Sequence, residues 1–322
     1  MCATCGCGTG AKATLANLQT GSLVTLARSD HDDDHDHVHA DGTRHSHGQS
    51  HGHGSHEHVD ADGTRHRHSH DHDHAHSHGV TATETLETRI LAKNDARAAL
   101  NRAWFSGRDI LALNLVSSPG SGKTTLLEAT IRDLKRTHAL FVVEGDQATA
   151  NDGERIRAAG APCVQLNTGT GCHLEADMIA RGLAELKPST GSVVLIENVG
   201  NLVCPALFDL GERAKVAILS VTEGEDKPLK YPHMFAACDV MLLNKIDLLP
   251  HLDFDVEKAI TNAKEINPEI IIFPVSAKSG DGLRAWYDWI DQEMAAARVH
   301  SFTETHETAT TLNHKALGGT LP

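Results

Sequence analysis

Apolar side chains are distributed unevenly along the 322-residue chain, and residues 84–295 carry nearly all of them. In this part, short apolar runs alternate with segments in which apolar residues recur at helical spacing. The runs predict seven strands, at 110–116, 138–145, 161–167, 192–198, 215–221, 238–245 and 269–276. The intervening segments predict helices that begin near Lys123, Asn151, His173, Pro232, Asp255 and Gly282. This alternation is typical of the α/β class, in which a mostly parallel sheet is covered by helices on both faces.

The segment before the first strand, "TLETRILAKNDARAALNRAWF", has a helical period of its own. It spaces Leu86, Ile90, Leu100 and Trp104 at helical intervals, which predicts an amphipathic helix. We therefore predict one folded domain at 81–300. Residues 301–322 show no period and are predicted to form a flexible tail.

Residues 1–80 have a different composition. They start with the cysteine motif "MCATCGCGTG" at 1–10, and residues 31–78 hold 17 of the 24 histidines among Asp, Gly and Ser. The hexapeptide "ADGTRH" occurs twice in this tract, at 40–45 and 61–66. Because so few apolar residues cannot offset the entropy of ordering the chain, we predict that 1–80 is a disordered, metal-binding region.

Charge and cysteine usage exclude several classes of protein. The formal net charge of −14 argues against nucleic-acid binding through a basic surface. No apolar run is long enough to cross a bilayer, and the N-terminus lacks an export signal. An odd count of seven cysteines in such a chain predicts reduced thiols and a cytoplasmic protein.

A phosphate-binding loop is predicted between the first strand and the following helix. The sequence "LVSSPGSGKTT" has the glycines, lysine and threonine of such a loop, although Ser117 replaces the usual first glycine at some cost in backbone freedom. Lys123 is expected to reach the β- and γ-phosphates and Thr124 to bind Mg²⁺. The predicted nucleotide-binding residues of the loop are Pro119, Gly120, Ser121, Gly122, Lys123, Thr124 and Thr125.

Two later motifs favour guanine over adenine. In "NKID", Asp247 can accept hydrogen bonds from both the ring N–H and the exocyclic amine of guanine, a donor pair that adenine lacks. Asn244 is expected to hold another edge of the base and Lys245 to lie along its face. In "PVSAKSGDG", the residues Ser276, Ala277 and Lys278 follow a strand, and the Ala277 N–H would suit the guanine carbonyl oxygen.

Acidic residues follow two of the other strands. Asp146 is expected to bind Mg²⁺ directly or through water, and Glu197 to order water bound to Mg²⁺. The Gly200 N–H could sense the γ-phosphate. The predicted catalytic residues are Lys123, Thr124, Asp146 and Glu197. No glutamine is obviously placed to orient an attacking water, so we expect slow hydrolysis.

Candidate metal ligands occur in loops after the third and fourth strands. Cys172 and His173 are adjacent, and Cys204 lies four residues beyond Gly200. Because loops after parallel strands meet at one edge of a sheet, we predict that the three residues form a site for Ni²⁺ or Zn²⁺. The alternative is that Cys204 is a core thiol and His173 begins a helix. Three ligands are one short of a closed site, and a dimer could pool two sets.

The N-terminal region offers further ligands. Cys2, Cys5 and Cys7 together with the α-amine supply up to four donors, enough for square-planar Ni²⁺. The histidine tract can chelate several divalent ions, although histidine count alone does not select the metal. Cys163 and Cys238 lie at strand starts and are predicted to be core residues.

Taken together, the phosphate loop, "EGDQAT", "TGTGCHLEADM", "IENVGNLVCPALFDLGE", "NKID" and "VSAKSGDG" resemble the hydrogenase nickel-incorporation GTPases, the HypB family of SIMIBI-class P-loop GTPases. The resemblance covers about residues 84–295. It implies a GTP-dependent homodimer that inserts Ni²⁺ into the [NiFe]-hydrogenase large-subunit precursor with a HypA-type accessory protein. It also implies that Cys172, His173 and Cys204 form a nickel or zinc site at the dimer interface, and that the histidine-rich insert stores nickel.

We therefore expect a GTPase metallochaperone in which nucleotide state changes the metal affinity of the Cys172, His173 and Cys204 loops. Two alternatives stay open. One is a metallochaperone GTPase for another enzyme, such as urease or a cobalt or zinc enzyme. The other is a nickel storage or buffer protein whose GTPase domain is regulatory or vestigial.

Overall fold

The computed structural model describes residues 13–26, 82–146, 151–169 and 171–298, together with four short strands between residues 36 and 68. Residues 13–26 and 86–298 belong to one compact unit, and the short strands belong to a second unit within 27–85. The cysteine motif at 1–10, most of the histidine tract and the tail at 301–322 lie outside the described residues, so the predictions made for them stay predictions.

The elements are numbered in chain order. The strands are β1 (Thr14–Asn17), β2 (Ser22–Thr25), β3 (Asp36–Val38), β4 (Arg44–Ser46), β5 (His56–Val59), β6 (Arg65–His68), β7 (Leu111–Ser117), β8 (Leu140–Asp146), β9 (Cys163–Asn167), β10 (Val193–Glu197), β11 (Ala214–Ser220), β12 (Val240–Asn244) and β13 (Ile271–Pro274). The helices are α1 (Ala82–Ser106), α2 (Lys123–Leu134), α3 (Asn151–Ala159), α4 (Ala176–Leu186), α5 (Cys204–Leu207), α6 (Lys227–Lys230), α7 (Pro232–Ala236), α8 (Val256–Ile266) and α9 (283–298), with a 3-10 helix at Ile246–His251.

Among the described residues, nine strands form one sheet in the order β13-β12-β11-β7-β10-β8-β9-β1-β2. Strands β7 to β13 pair in parallel, and their bounds agree with the seven predicted strands within two residues at each end. All seven residues of β7 and of β11 are buried, as expected for central strands. The predicted α/β class is confirmed.

Helices cover both faces of this sheet. Leu111, Leu113 and Leu115 of β7 pack in a core with α2, α3 and α9, whereas Ala112 packs in a core with α1 and α4. This alternation follows from the period of two in a strand. A third core lies between one end of the sheet and helices α7 and α8. The loops at the carboxyl ends of the parallel strands therefore share one edge of the sheet, where the candidate site lies.

Residues 13–26 correct the prediction that 1–80 is disordered throughout. They form an antiparallel hairpin, and β1 adds to β9 at the edge of the sheet. Leu15 and Leu26 are 3% and 8% exposed and pack in the same core as α4. Asn17 donates a hydrogen bond to Glu185 of α4 at 2.8 Å. The hairpin orders because its apolar residues cover a strand edge that is distant in sequence.

Two segments of the histidine tract form strand pairs, although the tract was predicted to be disordered. β3 pairs with β4 and β5 pairs with β6, each in antiparallel register. The second strand of each pair contains the end of one copy of "ADGTRH", residues 44–45 in β4 and residues 65–66 in β6.

Helix α1 forms as predicted, but its predicted apolar face is only partly correct, because Trp104 packs against the core shared with α4 and two other residues of that face are exposed. Ile90 and Leu100 are 39% and 61% exposed, whereas Asn94 and Asn101 are buried together with Ala98. Asn94 and Asn101 exchange hydrogen bonds with the main chain of Ala176, Asp209 and Leu210. The helix therefore packs by buried amides that bond to neighbouring loops, and apolar spacing did not reveal this face. Helix α4 begins at Ala176, three residues after the predicted His173, because 171–175 form a loop.

Candidate functional site

The loop between β7 and α2 has the backbone geometry of a phosphate-binding loop. Gly120 and Gly122 have φ angles of 79° and 95°, which residues with side chains rarely adopt. A Cβ atom at Gly122 would lie 2.6 Å from Nδ2 of Asn244, so this position has no room for a side chain. Because α2 begins at Lys123, the N–H groups of its first turn are available to a phosphate.

Ser117, which replaces the usual glycine, causes no strain. It is the last residue of β7 and is 1% exposed, and its Oγ donates to the Ser118 carbonyl at 2.9 Å. Among the described residues, side-chain-bearing positions with positive φ are Asp109, Lys187 and Lys245. The expected cost in backbone freedom is therefore absent, because an extended strand residue does not need glycine.

Glu197 joins the end of β10 to the phosphate loop. Its Oε1 accepts hydrogen bonds from Lys123 Nζ at 3.0 Å and from Thr124 Oγ1 at 2.8 Å. The residue is 1% exposed, and its Oε2 has no hydrogen-bond partner among the described residues. The carboxylate thus contacts the two groups that in phosphate loops serve phosphate and Mg²⁺, and its orphaned oxygen is suited to a further donor or cation.

A second buried carboxyl group lies on the neighbouring strand. Glu144 is opposite Glu197 in the β8–β10 register and is 2% exposed. Burial, followed by the charges of Glu197 and Asp146, raises the pKa of Glu144 to about 9, so this carboxyl is protonated at neutral pH. Asp146 ends β8 at the same edge of the sheet. Glu144 was not among the predicted site residues, although a carboxyl group in the apolar run "LFVVEG" was a usable signal.

The residues predicted to recognise guanine are tied to the phosphate loop. Asn244 Nδ2 donates to the Ser121 carbonyl at 2.9 Å, and Lys245 Nζ donates to the Gly120 carbonyl at 2.7 Å. Asn244 Oδ1 accepts the Ala277 N–H at 3.1 Å. Asn244 and the Ala277 N–H, both predicted to contact the base, are thus joined to each other by a hydrogen bond. Asn244 therefore connects the phosphate loop to the loop that follows β13.

Asp247 lies beside the loop that follows β13. One of its carboxylate oxygens accepts a hydrogen bond from Ser276 Oγ at 2.6 Å, and Ser276 is fully buried. The bond fixes the orientation of the carboxylate. Lys278 is exposed on the same loop.

We call residues 197–204 the switch segment. Besides Glu197, it contacts the phosphate loop through Gly200, where an added Cβ would lie 3.2 Å from Pro119 Cγ and 3.3 Å from Pro119 N. The switch segment therefore packs directly against the phosphate loop. On the other side of the phosphate loop, Thr125 Oγ1 accepts a hydrogen bond from Arg155 of α3 at 3.3 Å.

The far end of the switch segment lies in a cluster of metal-ligating side chains. One potential ligand atom from each of Cys172, His173 and Cys204 lies within 4.8 Å of the others. The two sulfurs are 2.9 Å apart as a thiol hydrogen bond, and His173 Nδ1 is 3.6 Å from Cys172 Sγ. The structure thus brings together the three residues that sequence analysis singled out.

The environment of His173 suits metal binding. Its ring lies 3.9 Å from the ring of Phe208, centroid to centroid, and its Nε2 is buried without a hydrogen-bond partner among the described residues. Burial lowers the pKa of His173 to about 4. The imidazole is therefore neutral at physiological pH, the form that binds metals. Cys172 and Cys204 are 8% and 4% exposed.

Apolar side chains flank this cluster. Val203 and Leu207 are 57% and 54% exposed on either side of Cys204 and Pro205.

The other described cysteines lie away from this cluster. Cys163 and Cys238 are 0% and 2% exposed within the core, which confirms their interpretation as core thiols. Cys2, Cys5 and Cys7 lie outside the described residues.

No helix in the described part of the chain is both long and apolar enough to cross a bilayer.

Comparisons with known proteins identify relatives of this chain. Residues 111–274 match the nucleotide-binding domain of the CobW/HypB/UreG family. The hydrogenase maturation factor HypB of Azotobacter chroococcum mcd 1 is 61% identical over 211 residues, which cover 66% of this chain and 69% of that protein. The hydrogenase/urease maturation factor HypB of Helicobacter pylori strain J99 is 40% identical over 209 residues, which cover 63% and 84%.

The fold is also similar to a solved structure. The crystal structure of HypB from Helicobacter pylori in complex with nickel matches with a TM-score of 0.60 and 38% identity, covering 63% of this chain and 96% of that chain. The phosphate loop, the switch segment and the cysteine–histidine cluster all lie within residues 111–274, which match the family model. The chain therefore belongs to the HypB family of hydrogenase maturation factors, which have a P-loop GTPase fold.

Proposed function

We propose that this chain is a GTP-hydrolysing metallochaperone that stores nickel and delivers it during [NiFe]-hydrogenase maturation. One observation carries the proposal. The switch segment binds Lys123 of the phosphate loop through Glu197, and seven residues later it ends at Cys204, beside Cys172 and His173. A single segment thus reaches both the nucleotide end and the metal end of the site.

For the nucleotide, we propose that the N–H groups of 120–125 and the Lys123 ammonium hold the phosphates of GTP. Thr124 and Asp146 would hold Mg²⁺, since hydroxyl and carboxylate oxygens are the ligands it prefers. Bound there, Mg²⁺ neutralises charge that develops on the phosphate oxygens. When Lys123 turns to phosphate and Thr124 to Mg²⁺, they release Glu197, which can then hold a water beside the phosphates.

For the base, the proposal assigns guanine to Asp247. Its carboxylate accepts the two donors on one edge of guanine, and its hydrogen bond to Ser276 supports this role by fixing its direction. The Lys245 stem would lie along the face of the base, next to the phosphate loop to which its ammonium donates. Asn244 and Ala277 would shape the pocket through their mutual hydrogen bond.

Hydrolysis is proposed to be slow and to serve as a timed switch. The described residues at the ends of β7, β8 and β10 include no glutamine that could orient an attacking water. The Gly200 N–H would sense the γ-phosphate, which its packing against Pro119 supports.

For the metal, we propose that Cys172, His173 and Cys204 bind the Ni²⁺ cargo, or Zn²⁺. Thiolate and neutral imidazole suit both ions. Three donors leave the site one short, and the exposed Val203 and Leu207 beside it support a GTP-dependent homodimer that pools two sets.

The remaining parts of the proposal concern delivery. The partners are a HypA-type nickel accessory protein and the [NiFe]-hydrogenase large-subunit precursor, in the cytoplasm, where free thiols persist. Cys2, Cys5 and Cys7 would form a separate nickel site at the N-terminus. The histidine tract at 31–78 would hold a reserve of the ion.

A second candidate is delivery to urease. It is favoured by the relative from Helicobacter pylori, which is named a hydrogenase/urease maturation factor. Both candidates share the same chemistry at this site and differ in the receiving enzyme.

The proposal is tested in a strain that lacks this chain, by measuring hydrogenase activity at low and at ample nickel. We expect low activity that excess nickel restores and that the intact gene restores without added nickel. The C204A variant should fail to complement at low nickel, whereas the matched core variant C238A should succeed. Full complementation by C204A would contradict the proposed metal site.

A further inference from the structure

Asn198 lies at the centre of a buried polar network between the phosphate loop and the metal cluster. It is the second residue of the switch segment and is 1% exposed. It directly follows Glu197, whose carboxylate binds Lys123 and Thr124. Any change in the hydrogen bonds of Glu197 therefore takes place at the residue that is directly bonded to Asn198.

One arm of the network reaches the loop that carries Cys172 and His173. Asn198 Oδ1 accepts the Leu174 N–H at 3.2 Å and the Val199 N–H at 3.0 Å. The Leu174 N–H belongs to the peptide group that follows His173. One side-chain oxygen therefore ties the main chain of the metal loop to the switch segment.

The other arm passes through the central strand of the sheet. Asn198 Nδ2 donates to Asn114 Oδ1 at 3.2 Å, and Asn114 Nδ2 donates to Glu212 Oε1 at 2.9 Å. Asn114 is fully buried in β7, the strand that leads into the phosphate loop. Lys215 Nζ lies 3.8 Å from Glu212 Oε1.

Lys215 ends this arm at the short helix α5, which begins with Cys204. The side chain is 8% exposed, and its ammonium donates to the carbonyl of Pro205 at 2.9 Å and to those of Ala206 and Phe208 at 3.4 Å. A buried cation at the carboxyl end of a helix satisfies carbonyls that have no partner within the helix. Both loops of the metal cluster are therefore joined to Asn198 by buried hydrogen bonds and one ion pair.

We propose that Asn198 is the positioning residue that transmits nucleotide state to the Cys172, His173 and Cys204 cluster. This inference rests on the proposed function and specifies which contact links its two sites. A satisfied buried network has few alternative arrangements, so a shift of the switch segment requires both metal loops to move with it. Coupling between two sites is reciprocal, so nickel must change nucleotide affinity by the same factor.

The test measures this reciprocal effect in the full chain. Affinity for a fluorescent, non-hydrolysable GTP analogue is determined with and without saturating Ni²⁺. We expect a ratio of at least about 5 in the wild type, within the usual range for coupled sites. The C172A/C204A variant should reduce it to about 1, which assigns the effect to the cluster rather than to nickel bound elsewhere.

The Asn198→Ala variant should bring the ratio within about twofold of 1. A residue that only supports the fold would weaken nucleotide binding equally with and without nickel and leave the ratio unchanged. The matched control is Asn262→Ala, which removes another buried asparagine that donates to one main-chain carbonyl, that of Glu225, at 2.8 Å. It should keep the wild-type ratio.

If the alanine variant does not fold, as judged by circular dichroism, the same ratio is measured with Asn198→Asp. It keeps the shape and the acceptor for the Leu174 N–H but loses the donor to Asn114, so the ratio should fall to less than half of the wild-type value. A wild-type ratio in a folded Asn198 variant would overturn the role of Asn198 alone. A wild-type protein with no nickel effect would overturn the coupling itself and, with it, this inference.

Discussion

Glu144 is held in its neutral form by burial between two other acids, and this has a consequence for stability. Its pKa is raised from 4.5 to about 9 in the folded protein. Between these values the folded state keeps a proton that the unfolded state loses, so this group makes the unfolding free energy fall as pH rises. The slope is at most about 1.4 kcal/mol per pH unit.

We therefore predict that Glu144→Gln gains stability relative to the wild type as pH rises from 5.5 to 8.5, by about 1 kcal/mol or more. Glutamine has the same shape and no proton to lose. Urea unfolding of both proteins at the two pH values measures the difference, and Glu257→Gln, at an exposed position of α8, is the control. Parallel pH profiles for Glu144→Gln and the wild type would refute the buried neutral carboxyl.

Asp247→Asn should shift base preference from guanine toward xanthine. The amide presents a donor where xanthine has a carbonyl oxygen, whereas the carboxylate accepts the guanine amine. Competition between GTP and xanthosine triphosphate measures the change. Ser276→Ala removes the 2.6 Å bond to Asp247 and the hydrogen bond that the Ser279 N–H donates to Ser276 Oγ at 3.0 Å, and it should weaken binding without changing the base preference. Unchanged guanine selectivity in Asp247→Asn would exclude this carboxylate as the reader of the base.

Single residues could be picked out from the sequence where a motif has its own chemistry. The glycines and the lysine of the phosphate loop, and the adjacent Cys172 and His173, are visible in the sequence because their types and spacing are unusual. Glu144, Asn114 and Asn198 were missed. Each is one polar residue in an apolar strand or at its end, and its role depends on a partner distant in sequence.

The hairpin of β1 and β2 shows the same limit at the scale of elements. Its strands have four residues each, and β1 pairs with β9, whose residues lie 147 to 153 positions later in the chain. The parallel strands were predictable because each is a continuous apolar run. For helix α1 the existence was predictable but not the face, since Asn94 and Asn101 pair with main-chain groups that only the fold brings near.

If the hairpin is part of the folded domain, its buried leucine must contribute to global stability. We predict that Leu15→Ala lowers the unfolding free energy by about 2 kcal/mol or more, because it leaves a cavity between β1 and α4. Leu23→Ala, at a site that is 70% exposed, should cost less than about 0.5 kcal/mol. Urea unfolding followed by circular dichroism measures both. Equal, small effects would mean that the hairpin does not pack on the sheet.

At the scale of the whole molecule, the histidine tract and the GTPase domain are separate parts. Residues 27–85 form a unit of their own, so removal of 31–78 should leave the nucleotide site intact. We predict that this deletion lowers the number of nickel ions bound per chain, because it removes 17 imidazoles. Hydrogenase maturation should persist when nickel is ample.

Equilibrium dialysis against Ni²⁺ and hydrogenase activity at ample nickel measure these two outcomes. Loss of maturation at ample nickel would mean that the tract takes part in the delivery of nickel. Loss of metal tolerance without any effect on maturation at low nickel would instead favour a nickel buffer.

The central claim is that GTP changes how the switch segment holds the cysteine–histidine cluster. The most direct test is the Ni²⁺ affinity of the full chain carrying C2S, C5S and C7S, read from thiolate-to-nickel charge-transfer absorbance, which then reports Cys172 and Cys204. The measurement is made with GDP and with a non-hydrolysable GTP analogue. We predict dissociation constants that differ by at least about fivefold between the two nucleotides. Equal constants would contradict the account.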